Sequence, residues 1–307
     1  MSQARAVTTT REQLTPSRSL AVPKRRTTPL RSAPYVIRAC MLALVLIVAA
    51  AVAAPLLAPA DPARQDLMAR LSPPVGFDGG SAEHILGTDQ LGRDVLARVL
   101  YGARVSIGMG LIGMLISLLL GTSIGLVAGF SRGIADDLLM FMVDVQLALP
   151  FIVIALTAIA IFGTSLQVLV IVVGLAGWES YARLARAMVI GARESQYVTA
   201  AWSLGAGRTR IVLCHILPNI VAPLIVLATF QLTGIILLES TLSFLGLGVQ
   251  PPTPSWGSMI GEGRDYLNTA WWIAVVPGAA IIVTTMSVSL LGDWMRDVLD
   301  PTLRGRT

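Results

Sequence analysis

An all-α polytopic membrane protein is the fold class this sequence predicts, and three observations predict it. The first is composition: 54% of the 307 residues are apolar and only 13% are charged, where an ordinary soluble domain carries about a quarter charged residues. The second is a series of charge-free stretches, each long enough for the roughly 20 residues that cross a bilayer core. The third is the placing of arginines in short segments that fall on one side once the stretches are counted. Mean hydropathy of +0.73 agrees. A soluble enzyme and a disordered chain are excluded, and the net charge of +5 forms no nucleic-acid surface. Two cysteines, Cys40 and Cys214, offer neither a disulfide framework nor metal spacing.

The elements follow in order. Residues 1–34 are Ser/Thr/Pro-rich and read as a disordered basic leader on the cytoplasmic side. With the start of the first helix they carry Arg5, Arg11, Arg18, Lys24, Arg25, Arg26, Arg31 and Arg38 against one acid, Glu12. Residues 35–59 form the first span, about Tyr35–Ala58, closing at Pro59. Residues 60–104 form an extracytoplasmic loop of balanced charge. Residues 105–293 hold five further spans: Val105–Phe130, Asp136–Phe162, Leu166–Met188, Ile216–Leu238 continuing to about Leu245, and Tyr266–Gly292. The turn at Gly163-Thr164-Ser165 separates the third from the fourth, because Leu138–Trp178 is too long for one crossing. A cytoplasmic loop occupies 189–217 and a tail 294–307. Arg183, Arg186, Arg193, Arg208, Arg210, Arg296, Arg304 and Arg306 then share the leader's side. The predicted topology is six helices with both termini inside.

The chemistry-bearing motifs are mostly absent. The chain's only lysine is Lys24, so no phosphate-binding G-x-x-x-x-G-K-[ST] loop exists. His84 and His215 lie on opposite sides, and no nucleophile motif is present. Catalytic and metal-ligating residues are therefore none, and energy for any work must come from elsewhere.

The loop between spans four and five is informative. A short helix carrying Thr199, Ala200, Ala201, Trp202 and Leu204 is broken at Gly205, Ala206 and Gly207, leaving a small-faced elbow where another backbone can approach closely. Leu217 and Pro218 then open the fifth span. Such a face suits protein docking, with Trp202 as anchor. Two intramembrane acids stand out, because ionisable groups are expensive in lipid. Asp144 reads as a buried structural partner for an arginine or for backbone near the inner face. Glu239, with the stripe Thr229, Thr233 and Ser240 at helical spacing, is a candidate for lining a translocation path; bonding to the helices of a partner membrane chain predicts the same stripe. The outer run Gly87-Thr88-Asp89…Gly92-Arg93-Asp94 interleaves acids with arginine and reads as mutual ion pairing. Gly121, Gly125 and Gly129, four apart, read as helix-packing contacts.

These residues carry a resemblance. Ala200, Ala201, Gly205, Leu217 and Pro218 match the E-A-A-x-x-x-G-x9-I-x-L-P loop of the integral-membrane subunits of binding-protein-dependent ABC importers. Thr199 stands where that family has Glu, and His215 where it has Ile. The blocks His84–Leu96 with Tyr101–Arg104, Arg132…Asp136…Met140…Asp144…Ala148-Leu149-Pro150, Glu239–Gly248, Pro254–Gly257 and Asp300-Pro301 resemble the dipeptide/oligopeptide branch, of the DppC/OppC type. The resemblance implies a type I (MetI-like) permease fold in the plasma membrane. It implies half of a peptide translocation pathway and a coupling helix at Ala200–Gly207. The implied partners are a second homologous permease, two cytoplasmic ATPase domains that bind ATP and Mg, and an extracytoplasmic substrate-binding protein, with no nucleic acid. Nickel or another small solute is the alternative cargo; an ion-coupled secondary transporter is the remote alternative.

Overall fold

The computed structural model describes residues 34–299 apart from 59 and 132. The predicted leader, Lys24, Arg132, Asp300-Pro301 and the last residues of the tail lie outside the described residues.

The first span is α1 (Tyr35–Val52) with the short α2 (Ala54–Leu57), whose Pro55 falls at a first-turn position where its missing N–H costs nothing. Then come α3 (Val95–Ser131), α4 (Ile134–Ala148), α5 (Phe151–Phe162), α6 (Leu166–Gly174) and α7 (Trp178–Arg193). After these follow α8 (Gln196–Ser203), α9 (Arg208–Ile211), a π-helical turn (Val212–Ile216), α10 (Leu217–Phe244), α11 (Trp256–Gly263) and α12 (Trp272–Leu299). Five helical segments are long and apolar enough to cross a bilayer, and α4 with α5 makes a sixth if the bent pair is one span. The described residues contain no strand, only an isolated bridge between Thr88 and Asp94.

Helix α3 is the axis. Its outer end packs with α11 and the start of α12: Val95, Met259, Ala270, Trp272 and Ile273 form one buried cluster. Its inner end meets α7 and the elbow. Along the α3–α7 seam the predicted glycine row is what permits contact. A Cβ at Gly121 would lie 2.1 Å from the Trp178 carbonyl, one at Gly125 2.4 Å from that of Ala182, and one at Gly129 2.8 Å from Val189. Small residues bring backbones together where lipid offers no hydrophobic drive to associate.

Several boundaries differ from the sequence reading. Residues 95–104, assigned to the outer loop because of Arg98 and Arg104, are helical: α3 projects beyond the span and its arginines find partners outside. The third span is not one helix. Pro150 has no N–H to continue the ladder and drives Leu149 out of the helical region (φ −103°, ψ 134°), so α4 and α5 meet at 89°. The two members pack at different levels of the bundle. Val143 of α4 packs with Trp178, Ala182, Leu120 and Ile124 in the inner half, whereas Ala155 and Ile159 of α5 pack with Met109, Leu242 and Val249 in the outer half. The fourth span breaks as well, between α6 and α7, where Gly177 adopts φ +84°. The sixth begins at Trp272, because Tyr266 closes a separate 3-10 turn (Arg264–Tyr266).

Candidate functional site: an inner elbow and a mid-membrane cavity

The elbow is built by cap chemistry. Helix α8 ends in a Schellman arrangement: Gly205 at φ +80° donates its N–H to the Trp202 carbonyl (2.9 Å) and Ala206 donates to that of Ala201 (3.1 Å). Only a residue tolerating the left-handed region turns the chain so tightly. Val198 and Ala201 point inward, packing with Ile211, Ile216 and Val189. Tyr197, Thr199, Ala200 and Ser203 face outward, and Leu204 is 88% exposed. Thr199, at the motif's Glu position, donates its hydroxyl to the Ser195 carbonyl (3.2 Å) and projects no charge.

Three contacts fasten this elbow to the bundle. Trp202 stacks on Phe130 at 6.3 Å, and the Arg193 guanidinium lies 5.7 Å over the same ring. Arg193 also donates to the Gly129 carbonyl at 2.9 Å. Trp202 is thus as much an inward strut as an outward anchor. On the other side the chain passes through α9 and the π turn into α10, with Leu217 partly buried and Pro218 in its first turn.

The predicted path residues lie elsewhere. Glu239 is fully buried and accepts hydrogen bonds from the hydroxyls of Ser243 (2.7 Å), Ser106 (3.1 Å) and Ser240 (3.5 Å). Ser106 accepts in turn from the Trp256 N–H (3.2 Å). Glu239 is therefore a clasp joining α3, α10 and α11, and it faces no opening in this conformation. Thr229 and Thr233 turn toward α12: Thr233 shares a hydrogen bond with Ser289 (3.2 Å), and a Cβ at Gly292 would sit 2.1 Å from Oγ1 of Thr229. Ser240 is also buried, while Thr229 and Thr233 are half-buried, so in this conformation the stripe bonds to neighbouring helices of its own chain. Asp144 does meet an arginine, Arg183 at 2.7 Å, but both side chains are more than half exposed in this chain.

At the outer end the interleaved charges pair with one another. Asp89 binds Arg93 (2.7 Å) and Arg98, and Glu262 of α11 binds Arg93 (2.5 Å) and Arg98 (2.9 Å). Gln90 donates to Glu262 (2.9 Å), and His84 meets Asp94 (2.9 Å). Burial alone would raise the Glu262 pKa, but hydrogen bonds and charge from Arg98, with Gln90 and Arg93, hold it below the ordinary carboxylate value.

Sequence reasoning missed one feature. The breaks at Leu149-Pro150 and Leu175–Gly177 lie near the middle of their spans and open on a shared cavity of about 410 Å³. Gln146, Glu179, Ser180 and Gln231 bring polar groups to it; Leu147, Phe151, Ile235 and Leu238 bring apolar ones. Gln231 donates to the Gly177 carbonyl at 3.0 Å, tying α10 to the break. The available signals were Gln146 and Gln231 inside largely apolar spans and the acid directly after Gly177-Trp178.

Comparisons with known proteins fit this geometry. Residues 121–305 match the family described as binding-protein-dependent transport system inner membrane component, and residues 38–74 match the N-terminal TM domain of oligopeptide transport permease C. The di/tripeptide transport system permease protein DppC of Pseudomonas aeruginosa is 45% identical over 264 residues, covering 86% of this chain and 87% of that protein. The dipeptide transport system permease proteins DppC of Haemophilus influenzae and Escherichia coli K12 are 39% and 42% identical, each over 85% of this chain and over 88% and 87% of their own lengths. A chain of the MetNI methionine ABC transporter in an inward-facing conformation has a TM-score of 0.51 at 19% identity. It covers 66% of this chain and 96% of that one, a likeness of fold.

Proposed function

This chain belongs to the family of binding-protein-dependent transport system inner membrane components, and from that premise we propose that it is the permease subunit of an ATP-driven peptide importer. It supplies half of the translocation pathway in the bacterial plasma membrane. A second related permease supplies the other half, two cytoplasmic ATPase domains bind ATP and Mg, and an extracytoplasmic binding protein delivers cargo. Hydrolysis takes place in those partners. The names of the relatives, each 39–45% identical over most of the chain, support peptide as the cargo.

The observation that carries the coupling role is the elbow. Helix α8 exposes one small-residue face while its other face is packed into α7, α9 and the π turn. A partner gripping Ala200, Leu204 and Gly205 therefore moves α3 through Phe130 and α10 through Leu217. A push at the inner surface is delivered to the helices that carry the cavity. Energy enters as a difference in ATPase affinity for two arrangements of this frame.

The test is to recover the chain from its native membrane in mild detergent, identify what accompanies it, and measure uptake after reconstitution. Peptide accumulation that requires ATP and the co-purified ATPase is the expected result. Uptake driven by an ion gradient with no ATPase present would sink the reading.

A further inference from the structure

Two helix interruptions at mid-depth are a liability in a membrane, because unpaired backbone groups have no water in the hydrocarbon core. Irregular backbone survives there where protein covers it or where it lines a water-filled cavity. Ser117 covers the Gly174 and Ala176 carbonyls and Gln231 that of Gly177, and Leu149, Phe151, Ala176 and Gly177, at the two breaks, line the same 410 Å³ cavity.

Its charge is unbalanced. Glu179 stands in the first turn of α7 and lines the cavity. Its Oε2 is buried and accepts no hydrogen bond from the described residues. The nearest cation along the helix, Arg183, is engaged with Asp144 at 2.7 Å, and Arg186 with Asp136 at 2.6 and 2.7 Å. Gln146, Gln231 and Ser180 surround the carboxylate with groups that both donate and accept, and Leu147, Phe151 and Leu238 add apolar wall. Backbone N–H groups of Gly177 and Glu179 reach the carboxylate, but the buried Oε2 stays without a donor, which costs free energy until a ligand supplies one. An ionisable group inside a span is a functional-site candidate.

We infer that Glu179 receives the primary ammonium of the cargo, with Gln146, Gln231 and Ser180 holding the adjoining peptide group, while the cargo passes between the two permeases. This rests on the importer reading above and deepens it by naming the residue of this chain that meets the cargo's amino group.

The experiment uses the complete reconstituted transporter, with the binding protein saturated in turn with alanyl-alanine and with N-propionyl-alanine, which keeps the shape but lacks the ammonium. Uptake and ATP hydrolysis are read for wild type, Glu179→Gln and Glu179→Asp. Glu179→Gln is expected to slow alanyl-alanine uptake roughly ten-fold or more, the scale of one lost charge-assisted hydrogen bond. Uptake of the propionyl analogue, recovery of the complex and ATP hydrolysis stay unchanged, and Glu179→Asp restores most of the rate. The inference is overturned if Glu179→Gln transports alanyl-alanine normally, if both cargoes slow alike, or if the complex or its hydrolysis is lost too. A wild-type complex that accumulates no peptide overturns the importer reading, and this inference with it.

Discussion

At the scale of single residues, the outer charge cluster shows how a membrane protein affords buried ions. Arg98 is 2% and Asp89 1% exposed, and their charges are balanced because Arg93 and Glu262 complete a set of alternating charges, although Nε of Arg98 has no hydrogen-bond partner among the described residues. Removing one member strands the rest, which costs about 3–5 kcal/mol. Arg98→Met should therefore lower the melting temperature of the detergent-purified complex and expose residues 60–94 to protease; an unchanged melt would mean that the cluster is decoration. Glu262 adds a pH dependence whose sign follows from its lowered pKa. Folding favours its charged form, so the contribution is fully present above the unfolded value of about 4.3 and is lost as pH falls through the lower folded value. Protease resistance of the outer segment should hold from neutral pH to about 4.5 and decline below that. Glu262→Gln should flatten that decline; a variant as acid-sensitive as wild type would show that another group titrates. The pairing was legible in the interleaved run Asp89…Arg93-Asp94. Glu262 was not, because its partners stand more than 160 residues earlier in the chain.

At the scale of elements, the proposed coupling role depends on two joints between the elbow and the cavity. The α3–α7 seam is the first. Gly125→Ala would drive a Cβ to 2.4 Å from the Ala182 carbonyl, whereas a Cβ at Gly108 meets nothing within 4 Å. Gly125→Ala should thus reduce recovery of folded protein and Gly108→Ala should not; equal recovery would contradict the seam. The elbow is the second. Gly205 has open space around its Cβ position but sits at φ +80°, so Gly205→Asp costs only about 1 kcal/mol of backbone strain while placing a charge on the docking face. That variant should reach the membrane in normal amount and fail in uptake, measured in cells; normal uptake would remove α8 from the coupling role. The elbow could be read in advance because Gly205 and Gly207 are local signals. The bent third span could not be placed from hydropathy alone: residues 138–178 stay apolar across the break, and only Pro150 marks it. Glu239 stayed ambiguous for a related reason, since an acid that lines a path and one bonded by Ser106, Ser240 and Ser243 look alike in the sequence.

At the scale of the whole molecule, sidedness is what joins these parts. The outer cluster, α11 and the start of α12 gather at one end of α3, and the elbow sits at the other. The proposed coupling of the elbow to the cavity therefore requires that α3 cross once and that α4–α5 cross rather than dip and return. The packing of α4 in the inner half and α5 in the outer half argues for crossing, and the arginines flanking Met188–Ile216 argue for which end is inside. Single cysteines decide it, after Cys40 and the exposed Cys214 are replaced by serine. Thr164→Cys, in the turn after α5, should react with a membrane-impermeant maleimide applied to intact spheroplasts. Ser203→Cys, on the exposed face of α8, should react only after permeabilisation. If Thr164→Cys is protected until the membrane is opened, α5 re-enters from the inside and the count falls to five. The two ends of the chain would then lie on opposite sides, and the elbow and the cavity would no longer belong to one continuous lever.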